Sequence, residues 1–224
     1  MIEIKIDKLI RSKRKSIGLQ IAPDATLIVR APYFVTLQEL QHVVLNKHDW
    51  IISKQALVRS RLAKQKKIEL IAGACLLYLG NLCRLEFIPE QKNVFLEGDR
   101  IYVKDGEVSQ IRKLLITWYK EEAQRILSER VGFIARRSGI EYKSVAISRA
   151  KRRWGSCGPS GELNFNWRLI MTPPFVLDYV VVHELAHIKI RNHSRYFWNT
   201  VSSMMPDYKK SEHWLKENHG ELDI

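Results

Sequence analysis

Ile17, Leu19 and Ile21 alternate with polar or small residues, Pro23-Asp24-Ala25 supplies a turn, and Leu27 and Val29 resume the alternation. Period-two patterning on both sides of a turn predicts a β-hairpin. Pro32 ends it, and Thr36 followed three residues later by Glu39 is the capping-box pattern of a helix start. Leu40, Val43, Val44, Trp50, Ile51, Leu57 and Leu62 then recur at helical spacing, which predicts one long helix running to the Lys64–Lys67 cluster. The stretches LLYLGNLCRLEFIPE and NVFLEGDRIYVK carry short apolar runs punctuated by Gly80-Asn81, Pro89 and Gly98-Asp99, the pattern of a strand meander.

From about Ser109 the period changes. Ile111, Leu114, Leu115, Trp118, Tyr119, Ala123, Ile126, Leu127 and Ile134 repeat every three or four residues until Ser138-Gly139 stops the helix. Val145 and Ile147 mark a strand, Gly155 to Gly161 a tight connection, and Leu163, Phe165, Trp167 and Leu169 a second strand over 162–170. Thr172 suits an N-cap and Pro173 the first position of a helix whose apolar face is Val176, Leu177, Val180, Val181, Leu185 and Ile188. The expected architecture is α+β in two domains, a β-rich one with a single helix over 1–108 and a second over 109–224.

With 224 residues and 46% hydrophobic content, the chain can bury one sizeable core or two modest ones. No apolar run reaches membrane-spanning length, and the opening MIEIKIDKLIRSKRKS alternates where a signal peptide would be continuously apolar, so a cytoplasmic location with no membrane partner is expected. Cys75, Cys83 and Cys157 are odd in number and lack CxxC spacing, which points to small buried hydrophobes and away from a disulfide framework. The formal charge of +13 favours non-specific association with nucleic acid or other polyanions, yet there is neither zinc-finger spacing nor an aromatic-basic RNA-binding signature.

Chemistry concentrates in the helix after Pro173. His183 and His187 are four residues apart, so at about 100° per residue they differ by roughly 40° and share one face. Two imidazoles there can converge on one ion, and Glu184, beside the first, has the place of the general base that deprotonates a metal-activated water. A catalytic zinc site keeps three protein ligands and one open position. His193 is the best third ligand, provided that the chain leaves helical geometry after Lys189; Asn192 tolerates a tight turn and Ser194 can cap the segment that follows. Ile190 stands where a metzincin turn would have glycine, so this turn should differ. Glu212 or His213 is the alternative third ligand. Three imidazoles favour zinc or another late first-row ion.

Around this helix the strand over 162–170 is a candidate edge against which an extended peptide lies, with Asn164 and Asn166 holding substrate or capping loops. Arg152, Arg153 and Arg168, with Lys151, could steady an oxyanion or phosphate. Trp118, Trp154, Trp167 and Trp198 are expected in the core.

The segment RRWGSCGPSGELNFNWRLIMTPPFVLDYVVVHELAHIKIRNHSRYFWNTV closely resembles the YgjP-like metallopeptidases, relatives of the SprT-like zinc peptidases. SKRKSIGLQIAPDATLIVRAP, KHDWIISK, LLITWYKEEA and MMPDYKKSEHWLK extend the likeness over most of the chain. The resemblance implies a zincin-like C-terminal domain, zinc on His183, His187 and His193, Glu184 as general base, and a peptide or protein substrate. It also implies an alternative, metal-dependent nucleotide (UTP) pyrophosphohydrolysis.

Overall fold

A computed structural model describes residues 5–64, 68–90, 93–150, 153–218, 222 and 224. Chain contacts divide it into two compact units, Met1–Lys66 and Lys67–Ile224.

In the first unit the hairpin forms as its pattern predicts: β2 (Gly18–Ile21) pairs antiparallel with β3 (Leu27–Pro32). A strand not anticipated, β1 (Lys8–Ser12), adds parallel to the other side of β3. The central strand therefore buries Leu27, Val29 and Ala31 completely. The capping box holds, with Thr36 Oγ1 accepting from the Glu39 amide and the Glu39 carboxylate from that of Thr36. The single long helix, however, is two, α1 (Leu37–Asn46) and α2 (His48–Lys64). Lys47 leaves helical geometry, and its amide turns back to the Val44 carbonyl. Past the break the buried face continues through Ile51 and Gln55, whose side-chain amide donates to the Ala25 carbonyl at 2.9 Å.

The second unit is built on α3 (Val108–Ser138), a 31-residue helix closed by Gly139 in the left-handed conformation, where a side chain would be strained. On it lies a sheet of β4 (Cys75–Tyr78), β5 (Asn81–Ile88), β6 (Phe95–Glu97) and β7 (Arg100–Lys104) in the order β4-β5-β7-β6. This is not the expected meander: the tight Gly98-Asp99 hairpin folds β7 back between β6 and β5, parallel to β5. Leu76, Leu85, Ile101 and Val103 share one core with Ile111, Leu115 and Tyr119 of α3, so Val108 lies within a packed unit and the division of the chain comes at Lys66.

Tyr78 donates to Glu122 at 2.5 Å, and Arg125 grips the same carboxylate at 2.6 Å. The Arg125 bond, then the Tyr78 hydroxyl, hold the Glu122 carboxyl below its ordinary range against partial burial. A depressed folded-state pKa stabilises above the unfolded value and is lost as pH falls through the folded one. Glu122→Gln should therefore lower the melting temperature by about 2–4 °C at neutral pH, a penalty near 1 kcal/mol. In thermal melts across pH, the gap to wild type should close below about pH 4.

A second sheet, β8 (Ser144–Ser148), β10 (Glu162–Asn166) and β9 (Gly155–Cys157), packs beside α3. Here β10 is central and β9 is the edge, the reverse of the expectation for the 162–170 strand. That strand also stops at Asn166, whose side chain accepts from the Arg168 amide at 3.0 Å and starts a 3-10 helix, Trp167–Met171. Thr172 closes this 3-10 helix, its hydroxyl donating to Leu169 O, and Pro173 takes the cap position of α4 (Pro174–Lys189) instead. The β4–β5 turn pins that start: Leu79 and Gly80 amides donate to Ile170 and Met171 carbonyls, and Gly80, at φ +80°, lies so close to Pro173 that a Cβ would collide with it. Arg130 of α3 clamps α4 through paired 2.7 Å bonds to Asp178. α5 (Arg195–Met204) and α6 (Tyr208–Asn218) complete the unit. No helix among the described residues is long and apolar enough to cross a membrane.

Candidate metal centre

Helix α4 is apolar nearly all round, burying Val176, Leu177, Val180, Val181, Val182, Leu185 and Ala186, so its polar residues are held rigidly. His183 and His187 project from one face, with ring centroids 4.9 Å apart. The helix ends at Ile190, which is extended (φ −135°, ψ 108°), and so no glycine is needed there. The Asn192 carboxamide oxygen then accepts from the Ser194 amide at 3.2 Å, and Ser194 begins α5 without lending its hydroxyl to the cap. This turn carries His193 back over the helix, its ring 5.0 Å from His183 and 4.7 Å from His187.

The ligand nitrogens of His183, His187 and His193 all lie within 4.8 Å of one another, and Nε2 of His183 and of His193 are 3.0 Å apart. Ligands about 2.0–2.1 Å from a tetrahedral zinc sit roughly 3.3 Å from each other, so this set fits such an ion with small adjustment. His187 Nδ1 faces the Ile190 carbonyl at 3.0 Å, which leaves Nε2 for a metal. Burial, then its two imidazole neighbours, push the His183 pKa down to about 4, and burial lowers that of His187. Both shifts favour the neutral ring, the form a metal requires.

Over residues 15–218 the chain matches the model of the YgjP-like metallopeptidase domain. The chain belongs to the YgjP-like family. Family membership makes it a metallopeptidase-domain protein with a metal cofactor, and the histidine triad is where its described residues can bind one. No curated protein matches it. Among solved structures it is similar to two metallopeptidase zymogens, abylysin of Pyrococcus abyssi (19% identity, TM-score 0.38) and jannalysin of Methanocaldococcus jannaschii (22%, TM-score 0.38). Each alignment covers 41% of this chain, and 93% and 95% of theirs.

Next to His183 in sequence, Glu184 is 5% exposed, and burial raises its carboxyl pKa to about 7 against the pull of Arg153. Edge strand β9 passes directly over it at Gly155. Glu212 and His213, the alternative ligands, are on α6, paired with Lys216 and Glu217, outside the triad. Asn166 is structural, its amide donating to the Ala150 carbonyl at 2.7 Å, and Arg168 stacks its guanidinium on Trp167. Lys151 and Arg152 lie outside the described residues. Trp118 and Trp167 are core as expected, whereas half-buried Trp198 lies against His183 and His193.

Two features were not anticipated. Arg191 donates to the Gly158 and Pro159 carbonyls, both at 2.8 Å, tying the β9–β10 turn to the segment that carries His193. Nothing in the sequence says that a cation beyond a helix end will find carbonyls 33 and 32 residues earlier. Phe197, fully buried, places its ring 4.9, 4.5 and 4.8 Å from those of His183, His187 and His193, forming the floor of the site. Phe197→Ala should cost about 3–5 kcal/mol by opening a cavity and should also weaken metal binding, because all three rings lose one support. Thermal melts and zinc titration, with Phe197→Leu as the milder comparison, check both effects.

Proposed function

We propose that this chain is a zinc-dependent peptidase with a zincin-like catalytic unit, in which His183, His187 and His193 hold the ion and Glu184 is the general base. One observation carries this reading: three convergent imidazoles stand beside a buried carboxylate that follows the first of them in sequence. Zinc held by His183, His187 and His193 would supply Lewis-acid polarisation of the scissile carbonyl and would lower the pKa of a water toward neutrality. Glu184, fixed by the rigid helix, accepts the water's proton as the water attacks and returns it to the departing amine. Edge strand β9, next to Glu184, offers main-chain partners to an extended peptide, a role that central strand β10 cannot take.

The test is to incubate the zinc-loaded protein with an unfolded protein such as casein and, in parallel, with UTP. New amino termini that disappear on chelation and return with zinc are the expected result. Release of pyrophosphate from UTP without new amino termini would replace the peptidase reading with nucleotide pyrophosphohydrolysis.

A further inference from the structure

Gly155 has no conformational need to be glycine: its φ is not in the left-handed region, and it sits in β9 paired opposite Phe165. Within a strand, glycine lowers stability relative to residues with side chains, so a close approach is the usual reason for one. Here the approach is to Glu184. A Cβ on Gly155 would lie 2.5 Å from Oε1, 2.6 Å from Cγ and 2.8 Å from Cδ of that side chain, all closer than real contacts permit. The other close glycines differ. Gly18 would meet the far end of the Arg14 guanidinium, Gly158 the end of Glu162, whose side chain is about one-third exposed and can swing away, and Gly80 would meet Pro173 at the start of α4. Glu184 has no such escape, being 5% exposed on a helix buried nearly all round.

We propose that Gly155 is a positioning residue that sets where the Glu184 carboxylate stands. The bare backbone of β9 closes one side of that carboxylate's space, so the strand that flanks the site also fixes the reach of the base. A methyl group at 155 pushes the carboxylate off its position, since the three atoms nearest to it all belong to Glu184 and none to an imidazole. A displacement of about 1 Å at a reacting group costs on the order of 100-fold in rate. This deepens, and rests on, the reading of Glu184 as general base.

The experiment is a double-mutant cycle on the full chain: wild type, Gly155→Ala, Glu184→Ala and the double variant, each measured for melting temperature and zinc content. Peptide hydrolysis is measured for wild type and Gly155→Ala. Gly155→Ala should lower the melting temperature by about 3 °C or more in the wild-type background and by nothing, or raise it, in the Glu184→Ala background, where the collision partner is gone. Its kcat should fall roughly 10- to 100-fold, with KM and zinc content unchanged. If Gly155→Ala does not fold but the double variant does, the contact is likewise established. An equal thermal cost in both backgrounds, or an unchanged kcat, overturns the proposal. Should the zinc-loaded wild type cleave no peptide, the peptidase reading fails, and the thermal cycle still decides for or against the contact.

Discussion

Glu184→Gln should reduce peptide cleavage by about 10²- to 10⁴-fold while zinc content stays at the wild-type level. The substitution keeps the shape of the side chain but exchanges a carboxylate that can accept a proton for a neutral amide that cannot. Because Glu184 is buried beside His183 but is not part of the convergent nitrogen set, its loss should leave the ligands in place. Gln also fits beneath Gly155, whose bare backbone admits a planar group at that spot. Cleavage measured by appearance of amino termini, with zinc measured on the same sample, separates the two effects. Cleavage at the wild-type rate would remove Glu184 from the chemistry.

His193→Ala should weaken zinc by more than about 100-fold, since partners that merely orient a ligand are already worth 10- to 100-fold. The metal-free protein should barely notice, because His193 is exposed and lies in a turn held by Asn192, Arg191 and the start of α5. Wild type with zinc at a thousand times its dissociation constant gains about 4 kcal/mol, or about 10 °C in a unit of this size. That gain should vanish in His193→Ala, while the metal-free melting temperatures agree. A variant that melts lower without zinc, yet gains as much from it, would show that His193 is structural and not a ligand.

The pattern of apolar residues along α4 made its face legible, and with it the convergence of His183 and His187, because helical periodicity is a local property. His193 was legible for a different reason: Asn192 and Ser194 marked a chain reversal at a distance that suits a third ligand. What local pattern does not carry is the choice of partner. Alternation located the strands around Leu85 and Ile101, but it said nothing of β7 inserting beside β5, which depends on the Gly98-Asp99 turn and on a shared core with α3. The change of period near Val108 looked like a domain border, yet a change from strand to helix is not a change of core. β9 is three small residues, Gly155-Ser156-Cys157, with no apolar alternation to announce it. Phe197 reads as one more apolar residue of an amphipathic helix, and only the fold places its ring beneath the triad.

X-ray absorption at the zinc edge of the zinc-loaded protein tests the central assignment most directly. With one zinc per chain by elemental analysis, the expected spectrum has a first shell of nitrogen and oxygen only, near 2.0–2.1 Å, and the outer-shell pattern of three imidazoles, reduced to two in His193→Ala. A sulfur at about 2.3 Å, or an imidazole count unchanged in that variant, would contradict it.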